Sequence, residues 1–218
     1  MRLPSFLNVD IYPVTGRELC PQISDEQVIA ALARGGAKIV QLREKKLTVR
    51  QFYELAMLYR RETRKHGMLL IINDRADIAA AVEADGVHLG QDDLPISAAR
   101  KLLGPDAIIG GSSHSVAEAL EVQKQGATYV NIGPLFPTPT KPGMEAVGLD
   151  PVREAARSLS IPFTVMGGIN QENIAQVAAA GAKRIGVVSA IFAAKDIAQA
   201  TLGLRNIMAN AVGAHSAK

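Results

Sequence analysis

Short apolar runs alternate along this chain with longer stretches whose apolar positions recur at helical spacing. The runs fall at 9–14, 38–42, 68–72, 86–89, 107–110, 129–132, 162–166 and 184–188. Their length and their Val and Ile content predict β-strands. Between and after them the spacing predicts helices over 24–35, 48–65, 76–83, 96–103, 116–125, 151–158, 171–180 and 193–210. In the second of these, Phe52, Leu55, Ala56 and Tyr59 form one apolar stripe. Ser24 followed by Gln27 predicts a capping box at the first helix. Glycines at 35, 67, 104, 126 and 181 stand where helices should stop.

Eight strand-then-helix units imply a parallel sheet. Eight of them predict closure into a (β/α)8 TIM barrel. An open doubly wound sheet is the competitor, but it usually has fewer units and a glycine-rich turn after its first strand. Here that strand is followed by Thr15-Gly16-Arg17-Glu18, which lacks the fingerprint. The expectation is one α/β TIM-barrel domain over 1–218, with a frayed tail from about residue 212.

Composition agrees with this and removes other classes. The chain has 218 residues, close to the lower size of such barrels, and 48% of them are apolar, enough for a large core. Net charge is +3, and the basic residues are dispersed rather than gathered into an arm or stripe. That argues against a nucleic-acid partner. The densest basic stretch, Arg60-Arg61-Glu62-Thr63-Arg64-Lys65, continues a helix and reads as a solvated face. Cys20 is the one cysteine, so no internal disulfide is expected. No apolar stretch is long enough to span a membrane, and residues 1–10 lack a secretory apolar core. A soluble cytoplasmic protein without a membrane partner is the expectation, with a homo-oligomer left open.

Five predicted strands end in residues suited to anions or metal. They end in Gln41-Leu42-Arg43-Glu44-Lys45, Asn73-Asp74-Arg75, Gly90-Gln91-Asp92-Asp93, Gly110-Gly111-Ser112-Ser113-His114 and the loop from Gly133 through Lys141. In a closed parallel barrel these ends share one rim, where barrel enzymes carry their active sites. Asp74 and Asp93 follow neighbouring strands and together suit Mg²⁺, which takes oxygen ligands and retains waters and phosphates. The competing reading is that each caps the next helix. Arg43, Lys45 and Lys141 can grip a diphosphate; the competing reading for Arg43 is a surface pair with Glu44. Hydroxyls of Thr138 and Thr140, in a long loop with the character of a lid, suit phosphate oxygens. Gly167-Gly168 and the Val188-Ser189 turn offer backbone N–H groups after strands seven and eight, the usual phosphate-monoester position in this architecture. His114 is either an acid–base group or a capping partner of the helix it precedes. Two anion sites, one of them metal-assisted, point to a transferase with pyrophosphate as leaving group.

These motifs, in this order, resemble the thiamine-phosphate synthase family, also called thiamin phosphate pyrophosphorylase. The similarity runs from Tyr12 to about Ile191, through Gln41 to Lys45, Asn73 to Arg75, His88 to Asp93, Phe136 to Lys141, Gly167 to Ile169 and Val188 to Ile191. The resemblance implies small phosphorylated substrates: hydroxymethylpyrimidine diphosphate joined to hydroxyethylthiazole phosphate, with one Mg²⁺ per subunit and a dissociative mechanism. It assigns Asp74 and Asp93 to the metal, and Gln41, Arg43, Lys45, Asn73 and Lys141 to the pyrimidine diphosphate. Ser112 falls near the reacting centre, and Thr138, Thr140, Gly168, Val188 and Ser189 at the thiazole phosphate. Arg43, Lys45, Ser112 and Lys141 are the expected catalytic groups. The chain departs from the family pattern at Gly16, where Asp is common, and at Met166, which is bulkier than usual. Two alternatives remain: a thiazole tautomerase using His114, and a non-catalytic barrel that binds a thiazole or thiamine phosphate.

Overall fold

A computed structural model describes residues 5–138, 143 and 145–216. The strands are β1 (Ile11–Pro13), β2 (Ile39–Leu42), β3 (Leu69–Asn73), β4 (Gly86–Leu89), β5 (Ile108–Ser113), β6 (Tyr129–Ile132), β7 (Phe163–Val165) and β8 (Ile185–Val187). All lie in one parallel sheet, each beside its sequence neighbour, and β1 pairs with β8. The ring closes at Val14, which bridges to Gln41, and at Thr15, whose N–H donates to the Gln41 carbonyl at 2.9 Å. This is a TIM barrel, as the alternation predicts. Its helices are α1 (Asp25–Arg34), α2 (Val49–His66), α3 (Ala76–Ala81), α4 (Ile96–Leu103), α5 (Val116–Lys124), α6 (Asp150–Ser158), α7 (Ile174–Ala179), α8 (Ser189–Phe192) and α9 (Ile197–Ser216). Among the described residues no helix is long and apolar enough to cross a membrane.

Alternation along each strand divides two cores. Val40, Leu42, Leu70, Ile72, Val87, Ile109 and Val130 face outward into the helix layer. Ile39, Leu69, Ile71, Tyr12 and Tyr129 fill the interior with Phe6 and Val9. Phe6 comes from a 3₁₀ turn over Phe6–Asn8 that the sequence pattern did not predict. It stacks on Tyr129 at 4.4 Å and meets Tyr12 edge-on at 6.3 Å, closing the end of the barrel where the strands begin.

Three elements differ from the sequence reading. The last helix begins at Ile197, four residues later than predicted, and a short unpredicted helix, Ser189–Phe192, precedes it. The Asp196 carboxylate accepts from the N–H groups of Ala198 and Gln199 and so begins α9 afresh. Strand β5 extends through Ser113 although Gly-Gly-Ser-Ser has little strand propensity. Registered pairing with β4 and β6 carries it, with Ser112 opposite Asn131. Within the basic stretch of α2, Arg60 is buried, not solvated. It pairs with Asp85 at 2.7 and 3.3 Å, and Asp85 also accepts from the Leu70 N–H. Burial makes that pairing obligatory.

Candidate functional site

The strand ends β2 to β8 converge on a cleft of about 390 Å³. Its wall includes Gln41, Arg43 and Lys45 from β2 and its loop, Asn73 and Asp74 after β3, and Asp93 after β4. Ser112 from β5, Thr138, Gly168, Val188 and Ser189 complete the set of described candidates, all lining this one space. Thr140 and Lys141 lie outside the described residues.

The β2 loop is fastened to β1. The Thr15 hydroxyl accepts from the Arg43 N–H at 2.8 Å and donates to the Arg43 carbonyl at 3.1 Å. This holds the backbone at Arg43 on the rim. Among the described acids none makes an ion pair with Arg43, so the surface pair with Glu44 is not formed. Lys45 Nζ stands 3.3 Å from Asp74 Oδ2. The lysine is exposed and Asp74 half-buried, so the pair is weak on its own.

Asp74 has φ +64°, a left-handed conformation uncommon for residues other than glycine. Helix α3 begins at Ala76 with Arg75 in the capping position and no side-chain cap. The Asp74 carboxylate therefore does not cap that helix. It turns toward Lys45, and its charge is felt at Asp93. Asp93 Oδ2 accepts from the Gly90 N–H at 2.6 Å, which fixes its loop. Helix α4 likewise has no side-chain cap. Burial pushes the Asp93 carboxyl above its ordinary value, and the neighbouring Asp74 adds to this; the bond from Gly90 and the charge of Lys45 oppose it. Neighbouring like charges call for a proton or a cation between them. Among the described residues no third His, Cys or acid joins them. A cation held here would complete its shell with water or ligand oxygens, which is the habit of Mg²⁺ rather than of zinc.

Across the cleft the wall is neutral backbone. Gly167 and Gly168 have φ of +101° and +65°. A Cβ at Gly167 would lie 2.4 Å from Pro134 Cβ, and one at Gly168 2.6 Å from the Pro137 carbonyl oxygen. Glycine is required here by conformation and also by the β6 loop, which hydrogen-bonds to this turn through Leu135 and Phe136. Met166 faces Gly186, whose missing side chain leaves it room. Gly16 packs beside Val188 on the same rim. The short α8 begins at Ser189, so its first N–H groups border the cleft.

The floor is polar, which the sequence pattern did not reveal. His88 of β4 is buried between two hydroxyls: Nδ1 is 2.9 Å from Tyr129 Oη and Nε2 is 2.9 Å from Ser112 Oγ. Tyr129 Oη is 2.9 Å from Tyr12 Oη, which accepts from Gln41 Nε2 at 3.1 Å. Asn131 of β6 also lines the cleft, and its Oδ1 accepts from Thr164. Period-two alternation along the strands is the signal that puts His88, Ser112, Asn131 and Gln41 on the inner face. Gln41 and Ser112 are expected at the site from the sequence, whereas His88 and Asn131 are added by the register of the strands.

His114 also borders the cleft. Its N–H donates to Glu118 Oε2 at 2.7 Å, and its Nδ1 lies 3.3 Å from the same oxygen. Gln91 donates to that oxygen from the β4 loop at 2.6 Å. Burial would raise the Glu118 carboxyl, but the bonds from His114 and Gln91 outweigh it and hold it low. His114 is thus fastened to the first turn of α5, in the geometry of a capping partner.

The family described as thiamine monophosphate synthase matches residues 11–191. A thiamine-phosphate synthase from Chloroflexus aurantiacus is 45% identical over 95% of this chain and 96% of its own. One from Pyrococcus horikoshii is 41% identical over 93% of this chain and 96% of its own. The solved thiamine phosphate pyrophosphorylase from Pyrococcus furiosus superposes with a TM-score of 0.85 at 37% identity, covering 94% of this chain and 98% of that one.

Proposed function

The chain belongs to the thiamine monophosphate synthase family, and from that premise we propose that it is a transferase joining two phosphorylated heterocycles. The substrates are 4-amino-5-hydroxymethyl-2-methylpyrimidine diphosphate and 4-methyl-5-(2-hydroxyethyl)thiazole phosphate, and the products are thiamine phosphate and pyrophosphate. The observation that carries this reading is the division of one cleft into two anion-binding walls. Asp74, Asp93, Arg43 and Lys45 form the charged wall, and Gly168, Val188 and Ser189 the neutral one. A diphosphate matches the first and a phosphate monoester the second.

The paired carboxylates fit one Mg²⁺ per subunit, because Asp93 carries a like charge against Asp74 and both present only oxygens. When bound, the metal supplies charge neutralisation for the diphosphate. Arg43, Lys45 and Lys141 stabilise the departing pyrophosphate. Gln41 and Asn73 orient the pyrimidine, and Ser112 stands beside its methylene carbon. Thr138, Thr140, Gly168, Val188 and Ser189 hold the thiazole phosphate. In the dissociative order, the methylene C–O bond breaks and its electron pair leaves with pyrophosphate. The thiazole nitrogen lone pair then forms the new C–N bond. No proton is removed in these steps, so the site needs anion stabilisation more than a base.

Purified protein mixed with both substrates and Mg²⁺ is expected to release pyrophosphate and thiamine phosphate in equal amounts, and EDTA should stop both. A folded protein that binds the thiazole phosphate and makes neither product would sink this reading. His114, tied to Glu118, is expected to matter little: His114→Ala should keep kcat within about threefold, since it removes no group that stabilises the leaving anion. A collapse of turnover in that variant would favour proton-transfer chemistry at His114, as in the tautomerase alternative.

A further inference from the structure

We infer that Gln41, Tyr12, Tyr129, His88 and Ser112 form a hydrogen-bond chain with one allowed proton order, ending in a Ser112 hydroxyl that donates into the cleft. This deepens the proposed function and rests on its reading of Ser112 as a neighbour of the reacting carbon. The order follows from counting protons. Gln41 Nε2 can only donate, so Tyr12 Oη accepts from it. Among the described residues, Tyr12 Oη meets only Gln41 Nε2 and Tyr129 Oη. Tyr12 is buried, so its proton needs an acceptor, and Tyr129 is the one at hand. Tyr129, having accepted, gives its own proton to His88 Nδ1. His88 then carries its proton on Nε2 and donates it to Ser112 Oγ. Ser112 accepts there and is left with an O–H to turn toward the ligand.

The reverse order fails. If Ser112 donated to His88, the protons would run through Tyr129 to Tyr12, whose hydroxyl proton would face only the Gln41 amide NH₂, which cannot accept it. An imidazolium at His88 fails in the same way, since its Nδ1–H would occupy Tyr129. Both phenols remain protonated donors, because burial raises each above its ordinary value. The fold also makes space for this chain. A Cβ at Gly110 would lie 2.1 Å from Tyr129 Cζ, so the ring reaches His88 only because β5 has glycine there.

His88, Tyr129 and Tyr12 are therefore positioning residues that act through Ser112. The ligand atom that Ser112 meets is an acceptor of the pyrimidine diphosphate, a ring nitrogen or an ester oxygen. Gln41 lines the cleft at the other end of the chain, so the two ligand-facing groups are oriented together.

The test reads the tautomer and the turnover separately. Nitrogen-15 NMR of the full-length, histidine-labelled protein, with His88 assigned by its loss in His88→Gln, should show a proton on Nε2 and a bare Nδ1. Tyr129→Phe should move His88 toward a mixture of tautomers. It should also lower kcat by roughly tenfold with KM for both substrates within about twofold, the effect of one lost hydrogen bond felt at the transition state. His88→Gln keeps an N–H near the Nε2 position and should retain more turnover than His88→Leu. A proton on Nδ1 in the wild type, or equal losses in His88→Gln and His88→Leu at equal thermal stability, would overturn the proposal. Wild-type protein with the expected tautomer but no thiamine phosphate product would support the proton order while overturning the proposed reaction.

Discussion

Asp93→Asn is expected to lower Mg²⁺-dependent turnover by about 10³-fold, the scale of losing a metal's charge stabilisation in a transition state. The fold should survive, because the asparagine carbonyl oxygen can still accept the bond that Asp93 takes from Gly90. The same change should raise the thermal midpoint of the metal-free protein. Burial, with Asp74 adding to it, raises the Asp93 carboxyl above its ordinary value. The folded chain therefore binds this proton more tightly than the unfolded chain does. Without metal, the Asp93 contribution makes the fold more stable as pH falls through the raised value, and less stable as pH rises above it. Mg²⁺ at neutral pH should remove that penalty, so calorimetry should show the metal stabilising wild type and not Asp93→Asn. Normal turnover in the variant, or equal metal stabilisation of both proteins, would end the assignment of Asp74 and Asp93 to a metal.

Gly168→Ala is expected to raise KM for the thiazole phosphate by about 10²-fold, because small displacements of a positioning group cost that much. The residue stands at φ +65° with no room beside the Pro137 carbonyl and Phe136. An alanine there carries left-handed strain of about 1–2 kcal/mol. It must also push the seventh loop away from the β6 loop. KM for the pyrimidine diphosphate should change little, since the carboxylates and cations occupy the opposite wall. Initial rates measured against each substrate in turn separate the two. An unchanged KM for the thiazole phosphate would remove Gly168 from the phosphate-monoester site.

The two variants divide the site along the line the sequence itself draws. Cations and acids cluster at the ends of the early strands, whereas glycine and small residues end the late ones. That arrangement was legible because a parallel barrel converts position along a strand into position in space. Once 3.6-residue and short-run periods alternate eight times, every strand end belongs to one rim. Arg43, Asp74, Asp93 and Ser189 could then be put in one cleft without knowledge of any contact. The sequence could also locate caps such as Ser24 with Gln27, whose bonds form within one helical turn.

Bonds between distant strands are what only the tertiary structure decided. Asp74 read equally well as a cap or as a ligand, and only the structure shows that its backbone turn leaves the following helix without a side-chain cap. Arg60 read as solvated until Asp85, just before β4, came to meet it. Ser112 read as part of a loop, yet pairing with two neighbours draws it into β5. The buried chain from Gln41 to Ser112 spans five strands, so no local window contains it. Propensity, capping and periodicity are set by residues within a few positions of one another, and these the sequence determines. Burial, proton order and charge pairing depend on the groups that the closed barrel brings together, and those exist only once it has folded.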